Sequence, residues 1–279
     1  MIESKSILSV KHEHHSAISD ITYKTREFGR DEISITLDAD TDYIYIGYHK
    51  PINCFYVNHN SNGFQEAVST LKYWNGSAWT DVTNLEDDSL GVSRSGLLRW
   101  NRELSGQVEN TVDSVSKYWY KLSTSVNKVN MKLSGINITF ASDFDLSLEQ
   151  PYATQSEFLA GQTSHILIHA SVRNEIVQYF RGKDYYKLDS NGQKQDITPW
   201  DLLDIGEVNQ AAIMLALSKI FFNFSDSKDD VWSSKAYEYR ARYQKFIDRA
   251  ALSIDFNDNG IADVGETKTA KINTFFFSR

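Results

Sequence analysis

The chain has 279 residues, of which 41% are hydrophobic and 24% charged, and its formal net charge is -8. That is enough apolar material for a sizeable core, and it argues against global disorder and against a protein that grips nucleic acid over a broad surface, which needs an excess of Lys and Arg. Cys54 is the only cysteine, so an intrachain disulfide and metal sites built on several thiolates are excluded.

Residues 1–19 contain no basic region followed by an apolar run, so they do not read as a signal peptide, and a flexible N-terminal arm is predicted there. His12, His14 and His15 cluster imidazoles that could bind a transition metal, but without the His-Glu-x-x-His pattern, since position 16 is Ser. From residue 20 to 148 the pattern is that of antiparallel sheet. Ile33-Ser-Ile-Thr-Leu37 alternates strictly, Tyr43–Tyr48 and Cys54–Val57 are rich in strand-favouring residues, and Leu71–Trp74 runs through Asn75-Gly76 into Ala78-Trp79 as a hairpin. Gly96–Trp100, Tyr118–Leu122, Met131–Leu133 and Ile136–Phe140 complete the set. Many short strands at regular spacing predict a β-sandwich.

After Pro151 the period becomes helical, and residues 149–254 are predicted as an α-helical bundle. Thr154-Gln-Ser-Glu157 has capping-box spacing, opening a helix to about Arg181 with Ile166, Ala170, Val177 and Phe180 on one face. Lys183–Ile197 reads as a loop or hairpin, and Thr198-Pro199-Trp200-Asp201 as the start of a short helix. Asp204-Ile-Gly-Glu207 again has capping-box spacing, before an apolar helix carrying Val208, Ala212, Leu215 and Phe222. A last helix places Ala236, Tyr243, Ile247 and Ala250 on one stripe, with Arg240, Arg242, Lys245 and Arg249 on or beside its polar side. Those bases could face DNA, or could form i,i+4 pairs such as Glu238 with Arg242.

Residues 255–279 are predicted as an acidic turn followed by a terminal strand. Asp255, Asn257, Asn259, Asp263 and Glu266 fall at positions 1, 3, 5, 9 and 12 of a calcium-loop template, with Gly260 at position 6. A strand pattern follows instead of an exiting helix, so the alternatives are a calcium-binding loop and a plain Asn-Gly turn. Three consecutive Phe, Phe275–Phe277, predict a strand that packs on the sandwich or adds to a neighbouring copy's sheet. His165 and His169, four apart on a helix, could be paired ligands, but no carboxylate sits at the matching turn. Asp143 and Asp145 read as solvated junction residues. No nucleophile elbow, phosphate-binding loop or dinucleotide fingerprint is present, and no stretch approaches the roughly 18 apolar residues of a membrane span.

Two stretches carry a resemblance. Tyr73-Trp-Asn-Gly-Ser-Ala-Trp79, then Ser93-Arg-Ser-Gly96 through Trp100, then Lys117-Tyr-Trp-Tyr120 resemble a sandwich module common in tailed-phage virion proteins. Across residues 150–255, the order of a long helix, Trp200-Asp-Leu-Leu-Asp204 and two further helices ending Tyr243–Ala250 resembles the head-to-tail adaptors (connectors) of tailed phages. The resemblance implies a non-enzymatic virion protein of the neck. Its copies would form a ring, usually of twelve, between the portal protein and the stopper or tail protein, with DNA passing through the bore and no membrane involved. The large N-terminal sandwich departs from minimal adaptors. A second reading is a baseplate or tail protein whose sandwich stacks host glycans on Trp or Tyr. A third, a depolymerase, lacks an evident acid–base pair.

Overall fold

The computed structural model describes residues 8–29, 31–60, 64–101, 106–188, 193–227, 230–255 and 267–269. The strand-rich part opens with β1 (Ser9–His14), β2 (Ala17–Asp20) and a short helix α1 (Thr22–Thr25). It continues through β3 (Ile33–Leu37), β4 (Tyr43–Tyr48), β5 (Cys54–His59), β6 (Ser69–Trp74), β7 (Trp79–Asp81), β8 (Thr83–Asp87) and β9 (Gly96–Asn101). β10 (Asn110–Val112), β11 (Val115–Thr124) and β12 (Lys128–Asn137) close it. The helices follow: α2 (Asp143–Glu149), α3 (Ser156–Leu159), α4 (Ile166–Gly182), α5 (Gly206–Asn223) and α6 (Val231–Ile247). Hairpin β13 (Tyr186–Leu188) and β14 (Lys194–Asp196) lies between α4 and α5, and β15 (Ala251–Ser253) pairs with β16 (Thr267–Thr269). The protein is thus mixed α and β, with antiparallel sheets.

One sheet runs β2-β1-β4-β11-β6-β7, with β10 on β11, and the other runs β3-β12-β5-β9-β8. Their inner faces meet where Trp100 of β9 lies 5.0 Å, centroid to centroid, from Tyr120 of β11. The Tyr120 hydroxyl also bonds both the main-chain N–H and the carbonyl of Ile52. β3 and β6 alternate in burial, as half-buried strands should. β5 is buried along its whole length. Its Phe55 meets Trp100 on the inside, while Tyr56 faces His169 of α4 and Asn58 accepts from Ser164. The helices therefore cover the back of the second sheet, and one continuous apolar core runs through both sheets and α4–α6. α5 lies between α4 and α6 and is apolar on nearly every side, as a central helix must be.

Four sequence expectations are corrected. Within the predicted arm, the described residues 8–19 are largely strand: β1 pairs with β4 from Ser9 to Glu13, with Val10 fully buried. The pattern hides this because Lys11 and His12 are buried polar residues. Lys11 Nζ reaches Asp113 at 2.6 Å, and His12 Nε2 lies 2.8 Å from the Thr36 carbonyl. The single helix expected from residue 154 to 181 is broken: Ala160 and Gly161 take positive φ (50° and 82°), and α4 starts only at Ile166. The main-chain N–H of His165 donates to both oxygens of Asp143, at 3.3 and 3.1 Å, which fixes the new start. The boundary at residue 148 falls inside α2, whose Ser142–Asp145 capping box and buried Leu146 tie it to the core. Finally, the two strands predicted at Met131–Leu133 and Ile136–Phe140 form one strand, β12, with irregular register near Met131 and Gly135.

Gly47 is required by close approach. It sits opposite Trp119, and a Cβ there would lie 2.5 Å from the indole ring. Trp119 is fully buried and anchored by its Nε1–H to the Val115 carbonyl, so it has little room to yield. Gly47→Ala will cost about 1–3 kcal/mol through overpacking. A urea midpoint within error of the parent protein would contradict that contact.

Candidate functional site

Two surfaces could receive a ligand or partner. The first lies on the outer face of the seven-stranded sheet. Asn75-Gly76 turns β6 into β7 as the hairpin pattern predicts: Gly76 has φ 98°, and Asn75 Oδ1 accepts from the main-chain N–H of Ser77 and Ala78. The turn places Trp74 opposite Trp79, their rings edge to face at 5.6 Å. Trp79 in turn packs on Tyr45 at 5.7 Å, and Lys121 Nζ lies 3.4 Å above the centre of the Tyr43 ring. Burial holds the Lys121 amine below the ordinary lysine pKa. Trp79, Tyr43, Lys121, Lys72, Thr70 and Asp40 line a hollow of about 270 Å³. It offers aromatic faces beside hydroxyl, amine and carboxylate groups. Trp100, in the second stretch that resembles the sandwich module, is a core residue at 5% exposure and takes no part.

The second surface crosses α4, α5 and α6. Leu167, Phe222 and Tyr237 are 63%, 63% and 59% exposed along a groove of about 490 Å³. The helical period predicts Phe222 on the buried stripe, but Phe221 takes the core position and turns Phe222 outward. At the groove's edge, Glu175 binds Lys219 at 2.8 Å and Arg240 at 2.7 Å. Burial alone would raise the Glu175 pKa, but these two cations more than offset it and hold it down. The bases of α6 are partly used within the chain: Arg242 bonds Glu238 and Glu149 as well as stacking on Tyr239.

Of the residues singled out as calcium-loop ligands, Asp255 alone lies among the described residues. Asp255 is fully buried, and its Oδ2 lies 2.8 Å from Lys50 Nζ. Lys50 also reaches Asp201 Oδ1 at 2.7 Å, and Lys187 reaches the same oxygen at 3.2 Å. Asp255 thus serves as a counter-ion that ties the loop between β4 and β5 to the segment after α6. Asn257, Asn259, Asp263 and Glu266 lie outside the described residues, as do Phe275–Phe277. His165 and His169 do acquire a carboxylate, from a segment the helical spacing could not indicate. Asp143 at the head of α2 lies 3.0 Å from His169 Nε2, while His165 Nε2 lies 2.8 Å from the Ala153 carbonyl. Burial pushes the Asp143 carboxyl up, but His169 and His165 more than reverse this, so it lies below its ordinary value. Asp145 is equally far from a solvated linker residue. It caps α2 and shares the Ser142 hydroxyl with the buried Asp88. At the other end of the chain, His14 and His15 of the β1–β2 hairpin meet Asp42 and Asp38 of the turn between β3 and β4.

No family model and no curated protein matches this chain. Among the described residues, no helix is long and apolar enough to cross a membrane.

Proposed function

We propose that this is a structural virion protein of a tailed phage, a head-to-tail adaptor that forms a ring between portal and tail or stopper around the DNA path. The observation that carries the reading is the exposed Leu167–Phe222–Tyr237 groove. An apolar surface spread over three packed helices is what a subunit contact uses, and leaving it in water is unfavourable. In this reading the helices form the ring, and the sheets face outward toward capsid, fibre or tail. The acidic balance keeps the inner wall from clamping DNA. The motif-level likeness of residues 73–120 to phage sandwich modules supports the same assignment.

The mass of the purified protein in solution, alone and with a cognate portal, tests this. A ring, or tight portal binding, is expected. Phe222→Asp should dissociate the assembly without unfolding the chain, since the side chain is 63% exposed. A persistent monomer that ignores the portal would end the adaptor reading. The hollow at Trp79, Tyr43 and Lys121 favours a second reading, a tail or baseplate protein that binds host glycans by stacking. Glycan retention lost in Trp79→Ala would mark that outcome.

A further inference from the structure

We propose that the tip of the β1–β2 hairpin is a binding site for a late first-row divalent metal ion, with His14, His15 and Asp38 as ligands. One ligand atom from each lies within 4.8 Å of the others. A zinc-like ion with bonds of about 2.1 Å needs tetrahedral ligand atoms roughly 3.4 Å apart. The three groups are therefore within a small side-chain adjustment of a coordination sphere. Two imidazole nitrogens and one carboxylate oxygen suit Zn²⁺, Co²⁺ or Ni²⁺ better than Ca²⁺ or Mg²⁺, which prefer all-oxygen sets.

The surroundings orient the first ligand. His14 Nδ1 lies 2.5 Å from Asp42 Oδ2, and Asp42 is fully buried. Asp42 is itself held by the main-chain N–H groups of Asp38 (2.9 Å) and His15 (3.1 Å). A carboxylate acceptor requires the proton on Nδ1, so the Nε2 lone pair of His14 is left for a metal. This is the carboxylate–imidazole arrangement that commonly supports metal-bound His. The second and third ligands already touch: His15 Nε2 lies 2.9 Å from Asp38 Oδ2, and the two imidazole rings stack at 3.9 Å. On binding, the ion takes the place of the proton between His15 and Asp38, and that proton moves to Nδ1 of His15 or to solvent. Solvent fills the remaining coordination position. His15 and Ser16 both take positive φ (49° and 67°) without being glycine, and this turn brings the adjacent histidines to one side.

The test uses the full chain with no affinity tag, titrated with zinc chloride by calorimetry and with cobalt chloride by visible absorption. One equivalent should bind, with the intense visible bands of four-coordinate Co²⁺. His15→Ala and Asp38→Asn should each weaken binding at least about tenfold. His15 is 70% exposed, so the metal-free His15→Ala protein should keep the parent melting temperature and circular dichroism. Absence of binding in the parent protein, or unchanged affinity in both variants, would overturn the site.

Discussion

Lys50→Met will destabilise the protein by about 3–5 kcal/mol, because it leaves two carboxylates buried without their shared cation. Lys50, Asp201 and Asp255 are each at most 1% exposed. Burial alone would lower the Lys50 pKa, but Asp201 and then Asp255 more than offset it, and it lies above the ordinary lysine value. For Asp201, burial acts upward and is outweighed by Lys50 and Lys187, leaving the carboxyl below its ordinary value. The raised lysine contributes its stability below about pH 10.4 and loses it as pH climbs through the folded-state value. The depressed carboxylate contributes above about pH 3.9 and loses it as pH falls through its folded-state value. The cluster is therefore at full strength across neutral pH. Chemical denaturation at pH 7 measures the loss, and Lys50→Met/Asp255→Asn should recover part of it. A single-variant loss below about 1 kcal/mol would show that Lys50 is not the counter-ion that holds this cluster in the interior.

Asp88→Asn should have the opposite sign. Asp88 lies under the Ser142 hydroxyl (2.5 Å), close to Asp145, with Arg99 3.8 Å away. Burial is the main cause that pushes its pKa from 3.8 up to about 6; Asp145 adds to this, while Ser142 and Arg99 oppose it. The folded state thus holds this proton more tightly than the unfolded chain does. That stabilisation is complete below about pH 4 and is lost as pH rises through about 6. At about 1.36 kcal/mol per pH unit the whole swing is on the order of 3 kcal/mol. An amide at this position cannot ionise, so the variant should gain on the parent as pH rises from about 4 to about 7.5. Paired urea curves across that range decide it: a stability difference that does not change with pH would refute the assignment.

Local patterns made much of the fold legible. The alternation of Ile33–Leu37, the Asn75-Gly76 turn and the stripe of Ala236, Tyr243 and Ile247 all reappear as read. What the sequence conceals is pairing at long range. β1 has the pattern of a polar arm because the partners of Lys11 and His12 come from residues 113 and 36. The helical period overextends α4 because its start is fixed by Asp143, more than twenty residues upstream. Asp255 falls at the first ligand position of an ion-loop spacing, and that spacing says nothing of the cation it meets. Its neighbour in space, Lys50, stands more than 200 residues away, where no spacing rule reaches. The same holds for the hairpin histidines, whose carboxylate partners lie beyond α1 and β3.

The Lys50 cluster also sets a timetable. Its two acids lie 151 and 205 residues after the lysine (201 - 50 and 255 - 50). At about 5–20 residues per second, the ribosome releases Asp255 roughly 10–40 s after Lys50. Strands β5 to β12 are made within that interval, and until the chain reaches Asp201 the amine at the β4–β5 turn must stay hydrated, because entering the interior before either acid exists would strip it of water with no counter-charge. The sheets therefore cannot seal at that end before residue 201 has been made, and the second counter-charge arrives only after α6. The salt cluster thus ties closure of the sheets to synthesis of the helical part of the chain.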